Sequence, residues 1–210
     1  MLLYNSIGPN PKVVRMFMAE RGIELRRQEV DLRGAENRQT PYLGKNPAGQ
    51  CPALELDDGT VLAEITAICE YLDETFPGPS LIGNTPEQRA ETRMWARRID
   101  LNILEPMANG FRYDEGLEMF REGLEMFRNR IHCIPGAAAD LKQIAQEWLS
   151  RLDRMMDGKR FVCGDRMTLA DILLFCFVDF FADFGQPLNP ELHNIVAWHA
   201  RMKSRQSAAA

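Results

Sequence analysis

The stretch Asn46-Pro47-Ala48-Gly49-Gln50-Cys51-Pro52-Ala53-Leu54-Glu55-Leu56-Asp57-Asp58-Gly59-Thr60-Val61-Leu62-Ala63-Glu64 reads as an extended run folded back on itself. Asp57-Asp58-Gly59 is a tight-turn sequence between two short apolar runs, Ala53–Leu56 and Thr60–Leu62, and so predicts a β-hairpin. Downstream, Ala67, Ile68, Tyr71 and Leu72 recur at helical spacing and form one apolar face that ends near Phe76 and Pro77. Upstream, Arg33–Gln50 is polar, rich in turn formers and broken by Pro41 and Pro47. Before it come two predicted strands, Met1–Tyr4 and Glu24–Val30, separated by a helix. That helix opens at Gly8-Pro9-Asn10-Pro11-Lys12. Pro11 suits the first helical position because its missing N–H has no partner there. Asn10 is then expected as the N-cap, and Gly22 as the left-handed C-cap. The order is strand, helix, strand, helix, strand, strand, helix, an α/β unit.

Phe76-Pro77-Gly78-Pro79-Ser80 stops regular structure, and everything after it has helical period. This divides the chain into an α/β domain over residues 1–78, a linker over 79–85 and an all-helical domain over 86–210. Thr85-Pro86-Glu87-Gln88 combines an N-cap, a proline at the first helical position and a capping-box Gln, and its helix is expected to bend near Pro106. Ala139–Met156 is a second amphipathic helix, closed by Gly158. Thr168-Leu169-Ala170-Asp171 starts a third with a capping box, Met167 and Ile172 being placed as a hydrophobic staple. The body of this third helix, Ile172–Phe181, is apolar on nearly every face and should be the buried centre of the helical domain. Glu191–Met202 is the last helix, and the end from Ser207 is expected to fray. Glu115-Gly-Leu-Glu-Met-Phe-Arg121 is repeated at once as Glu122–Arg128, a copied heptad that turns a helix face by only about 20°.

Composition narrows the function classes. A net charge of −5 argues against nucleic acid or an anionic membrane as the main partner. Met1–Pro9 lacks a signal-peptide pattern, and Ile172–Phe184, the most apolar segment, carries Asp179 and Asp183, so no membrane span is expected. The five cysteines are scattered with no C-x-x-C, which fits a reducing, cytoplasmic setting and excludes the usual zinc spacings. His132, His193 and His199 stand at no metal-ligand spacing, so no metal is expected.

Asn46-Pro47-Ala48-Gly49-Gln50-Cys51-Pro52-Ala53-Leu54, Asp58-Gly59 and Leu62-Ala63-Glu64-Ile65-Thr66-Ala67-Ile68 with Tyr71-Leu72 resemble the glutathione transferase N-terminal domain. Its pattern there is N-P-x-G-x-V-P-x-L, D-G, L-x-E-S-x-A-I-x-x-Y-L. Gly164-Asp165-Arg166-Met167-Thr168-Leu169-Ala170-Asp171-Ile172 is similar to the family's C-terminal capping-box signature. The resemblance implies a thioredoxin-like α/β domain followed by an all-α domain, with glutathione as co-substrate. On it, Pro52 is the family's cis-proline, which lets Cys51 offer backbone N–H and C=O to the tripeptide beside Gln50. Glu64 takes the γ-glutamyl ammonium, and the helix start at Ile65 and Thr66 takes its carboxylate. Ile65 stands where the family usually has Ser, which removes a hydroxyl but leaves the backbone donor. Gly8 stands where many classes carry a catalytic Ser, Tyr or Cys. Gly8–Lys12 instead resembles the T-P-N-x-x-K stretch of the bacterial Nu class, with Thr replaced by Gly8.

Carried over, Asn10 holds the thiolate, with Ser6 as a weaker hydroxyl candidate and Tyr4 in the core. Lys12 and Lys45 add positive charge for an anionic tripeptide. Phe111, Arg112 and Tyr113 are expected to border the acceptor pocket between the domains. The implied activity is addition of glutathione thiolate to a small electrophile by a cytoplasmic homodimer. The alternatives are a Nu-type glutathione-dependent disulfide reductase or peroxidase, with a disulfide as partner, and a binding or scaffold protein without turnover.

Overall fold

The computed structural model describes residues 1–117 and 132–210. Most of the copied heptad, Glu115–Arg128, lies outside these described residues. Leu2–Asn5 forms β1, and helix α1 follows over Pro9–Arg21. β2 is Arg26–Glu29, α2 is a single turn at Thr40–Leu43, and β3 (Ala53–Glu55) and β4 (Val61–Ala63) are the expected hairpin. Helix α3 is Ile65–Thr75. The sheet runs β2-β1-β3-β4, with β1 and β2 parallel and the remaining pairs antiparallel. This is a thioredoxin-like layer.

Seven of the thirteen residues of α1 are buried, six of them apolar, and they face two ways, since α1 packs on α3 and on helix α7 (Leu169–Ala182) of the helical domain. Gly22 ends α1 in the left-handed conformation as expected, at φ 63°, with the Ile23 N–H reaching back to the Met18 carbonyl at 2.9 Å. On α3, Ile68, Cys69 and Leu72 are buried, while Ala67 lies exposed, one step off the expected face.

Thr85 caps α4 (Pro86–Ile99) by accepting from the Gln88 N–H, while the Gln88 side chain reaches back one residue further than the standard box, to the Asn84 N–H. The irregularity expected near Pro106 is a π turn over Asp100–Leu104, ahead of α5 (Glu105–Arg112). Pro106 has no N–H to give, and its ring would press on the carbonyl four residues back; a wider turn moves that carbonyl away. Helix α6 is Ala138–Met155 and α8 is His193–Lys203. In α7 every residue from Leu169 to Val178 is buried, and its capping box closes as expected, with Asp171 accepting from the Thr168 N–H at 2.9 Å. The same carboxylate accepts from the Val162 N–H and the Trp198 indole, so one buried acid ties α7 to α8 and to the preceding loop. Burial pushes its pKa up to about 6.

The end of the chain is docked, contrary to the expected fraying. Gln206–Ala209 forms a 3-10 turn, and Arg205 holds Glu20 of α1 through two hydrogen bonds of 2.5 and 2.7 Å, with Ser207 donating to the same carboxylate. Among the described residues no helix is long and apolar enough to cross a membrane.

Candidate functional site

Three strands place the candidate residues at one end of the sheet. Tyr4 of β1 is opposite Ala53 of β3, and Ala53 is opposite Ala63 of β4. Because β3 runs against both neighbours, the residues after β1, before β3 and after β4 emerge together there. They are Ser6–Asn10, Gln50–Pro52 and Glu64–Thr66.

The first of these segments corrects the expected cap. Gly8, not Asn10, precedes the helix, at φ 103° and ψ 172°, a backbone conformation that L side chains rarely adopt. A Cβ there would meet nothing within 4 Å, so conformation and not space keeps the position as glycine. Pro9, Asn10 and Pro11 then fill the first three helical positions, and the first intrahelical bond is Lys12 N–H to the Gly8 carbonyl at 3.3 Å. Either proline satisfies the sequence preference for a helix start, and the structure uses the earlier one. Since proline carries no N–H, Asn10 supplies the single backbone donor of those three positions. Its exposed side chain has no hydrogen-bond partner among the described residues.

Other candidates are already engaged. The Ser6 hydroxyl is buried and donates to the Val30 carbonyl at 2.7 Å, which leaves no proton for a thiolate. Tyr4 is in the core as expected; burial and its bond to Glu55 push its pKa up to about 12. Lys12 bonds Asp179 of α7 at 3.1 Å, and it stands one residue short of the T-P-N-x-x-K spacing, where Val13 is fully buried. Lys45 bonds Glu55 at 2.7 Å from an exposed position.

The Cys51–Pro52 peptide is cis. Just before it the Gln50 carbonyl accepts from the Tyr42 hydroxyl (2.6 Å) and Asn46 Nδ2 (2.8 Å), so α2 and its flank clamp the loop. Neither the N–H nor the C=O of Cys51 takes part in a hydrogen bond among the described residues. Its thiol instead donates to Tyr42 at 3.2 Å, and burial pushes that thiol's pKa up. Cys51 thus has its backbone groups open and its thiol engaged. The clamp by Tyr42 and Asn46 was not legible beforehand; the lone aromatic in a polar stretch was the available signal.

Glu64, between β4 and α3, has φ 69° and ψ 124°. A non-glycine residue held there stores about 1–3 kcal/mol of strain, a feature that concentrates at binding sites. The Ile68 N–H is the first to bond inside α3, to the Glu64 carbonyl at 3.0 Å, so the N–H groups of Ile65, Thr66 and Ala67 are open. Beside them the Glu64 carboxylate is exposed and unpaired among the described residues. A carboxylate next to open amides suits a zwitterion, an amino-acid head group with its ammonium on Glu64 and its carboxylate on α3.

A family model for the glutathione S-transferase N-terminal domain matches residues 7–75, and one for the C-terminal domain matches residues 137–206. The chain belongs to the glutathione S-transferase family. It is 29% identical to glutathione S-transferase 2 of Saccharomyces cerevisiae over 99% of its own length and 87% of that relative. It is 31% identical to a maleylacetoacetate isomerase of Pseudomonas aeruginosa over 77% and 71% of the two chains. A crystal structure of a glutathione S-transferase domain-containing protein from Marinobacter aquaeolei VT8 superposes with a TM-score of 0.88 at 32% identity, covering 99% of both chains.

The expected acceptor-pocket trio divides. Phe111 is buried against the rings of Phe181 and Phe184 and belongs to the core, because its position in α5 faces α7. Arg112 donates to Asn109, and Tyr113 follows α5 as its half-buried C-cap.

Proposed function

We propose that the protein binds glutathione across the sheet end and adds its thiolate to a small electrophile. The observation that carries this reading is the unpaired Glu64 carboxylate beside three open amides of α3, at the same sheet end as Asn10 and the Cys51 backbone. In it Glu64 takes the γ-glutamyl ammonium, and the Ile65 and Thr66 amides take the adjoining carboxylate. The backbone of Cys51, ahead of Pro52 and beside Gln50, pairs with the cysteinyl unit. Lys45 serves the far carboxylate at the expense of its bond to Glu55. The sulfur lies at the first turn of α1, where the Asn10 N–H and side chain and the helix end favour an anion. Lowering the thiol pKa there generates nucleophile near neutral pH. The protein acts as a homodimer in the cytoplasm, which sedimentation and localisation of a tagged chain address.

Retention on immobilised glutathione tests the binding, with Glu64→Ala as the weakened control. Conjugation of chlorodinitrobenzene is the expected turnover; reduction of hydroxyethyl disulfide in its place assigns the reductase chemistry instead. Cys51→Ser should keep retention, because only the backbone of that residue is used. Wild-type protein that fails to bind glutathione overturns the proposal. Binding without either turnover favours a ligand-holding role, to which the absence of a hydroxyl at Gly8 and Ile65 already points.

A further inference from the structure

Two residues beyond Asn10, the Lys12 ammonium leaves the mouth of the site and crosses to α7, where it sits over the Phe175 ring and bonds Asp179 Oδ2 at 3.1 Å. Asp179 is oversubscribed. Its Oδ1 accepts from Lys203 of α8 at 3.1 Å and lies 3.4 Å from His199 Nε2, also of α8. That His199 nitrogen is buried and has no hydrogen-bond partner of acceptable geometry. Lys203 is two-thirds exposed, whereas Lys12, Asp179 and His199 are each about one-fifth exposed. The cluster therefore joins the first turn of α1 to α7 and α8 through one carboxylate.

Building on the glutathione reading, we infer that Lys12 and His199 compete for Asp179, and that protonation of His199 releases the Lys12 ammonium to an anion held at the start of α1. Asp179 is then a positioning residue for that cation. Burial, with Lys203 and Lys12 nearby, holds His199 below its ordinary pKa against the pull of Asp179, so it is neutral at pH 7.5. Burial alone would raise Asp179; the bonds from Lys203 and Lys12 more than offset it and keep the carboxylate ionised. From α7 the Cys176 thiol also faces the cluster, but burial pushes its pKa up to about 12 and it stays neutral. Arg15 of α1 stays charged, and from α6 Asp153 is engaged with the Ile195 N–H at the opposite end of α8. His199 is thus the group of this cluster that takes up a proton as the pH falls, at a pH below the ordinary histidine value. A protonated imidazole 3.4 Å from Oδ1 supplies the charged donor that Asp179 now takes from Lys12. The freed ammonium, carried on the first turn of the helix that carries Asn10, is then available to an anion held there.

The test has a ligand-free arm and a ligand arm. In the first, the His199 ring is titrated by NMR in the wild type, Lys12→Met and Asp179→Asn. Removing a competing cation should raise the His199 pKa by about half a unit, and removing the anion should lower it by a similar amount. In the second, the dissociation constants of glutathione and of glutathione sulfonate, whose sulfur group keeps its negative charge throughout, are measured at pH 7.5 and one unit below the His199 midpoint found in the first arm. Wild type should bind the sulfonate about fivefold more tightly at the lower pH. His199→Gln should match wild type at pH 7.5 and lose the pH dependence, while Asp179→Asn should bind tightly at both. A His199 pKa indifferent to both substitutions overturns the inference and leaves the glutathione reading intact. So does a pH dependence of sulfonate binding that survives in His199→Gln. Coupling in the ligand-free arm with no glutathione binding at either pH sustains the competition for Asp179 and overturns the glutathione reading.

Discussion

Replacing Arg21 by alanine should destabilise the protein by about 3–5 kcal/mol. Arg21 closes α1 with its side chain 1% exposed, paired at 2.5 Å with Asp73 of α3, itself 6% exposed. The same guanidinium donates to the carbonyls of Pro79 (2.8 Å) and Phe76 (2.7 Å), so it fastens the connection between α3 and α4. Asp73 in turn accepts from the Ser80 hydroxyl and the Leu81 N–H. The substitution therefore leaves a buried carboxylate without its cation and two connection carbonyls without donors. Against a typical total of about 5–15 kcal/mol that is a large fraction. Urea denaturation followed by circular dichroism reads it directly: with a slope of about 1–3 kcal/mol per molar, the midpoint should fall by more than about 1 M. Arg21→Met with Asp73→Leu should recover only the part owed to the unpaired carboxylate, since the Phe76 and Pro79 carbonyls and the Leu81 N–H stay without partners. A loss under about 1 kcal/mol in Arg21→Ala would refute the reasoning, for it would mean that water or a neighbour replaces the guanidinium.

Gly8→Ser should not restore a catalytic hydroxyl: at φ 103° the new side chain strains the loop, so melting temperature should fall by a few degrees and turnover should not rise. A more active, equally stable variant would contradict this. Glu64→Gly should separate strain from binding, melting higher by the equivalent of about 1 kcal/mol while retention on glutathione is lost; retention at the wild-type level would remove Glu64 from the site. For Asp171, a folded-state pKa near 6 against an ordinary 3.8 means the fold holds this proton more tightly than the unfolded chain does. Its contribution is complete below about pH 4 and lost as pH rises through about 6, so wild type should gain about 1 kcal/mol over Asp171→Asn between pH 7 and pH 5. A gap that does not change with pH would show that the four donors around the carboxylate outweigh its burial.

The parts legible in the sequence were those governed by neighbours in the chain. Asp57-Asp58-Gly59 turned the hairpin, Thr168 and Asp171 closed their box, and Gly22 ended α1, each through bonds spanning a few residues. The helix start was misplaced by two residues because Pro9 and Pro11 meet the same local preference, and the choice rests on a glycine conformation that carries no sequence mark. Partners distant in sequence were hidden for a different reason. Lys12 finds Asp179 across 167 residues, Arg205 finds Glu20 across 185, and a charge pattern read locally shows neither. Phe111 was placed at a pocket edge from its nearness to Pro106; its side depends on the π turn at Asp100–Leu104, which resets the phase of every residue after it. The candidate glutathione residues came from motif resemblance, whereas the open amides, the strained Glu64 and the clamp on Gln50 needed coordinates.

The alternation Pro9-Asn10-Pro11 works by subtraction. A helix mouth ordinarily offers several equivalent amides, any of which can greet a carboxylate, a phosphate or a chloride. With two of them deleted, an incoming anion has one address and must be small enough to share it with a side-chain amide. Exchanging either proline for an ordinary residue would break no hydrogen bond; it would open a rival berth, and the loss would show as promiscuity toward bulk anions.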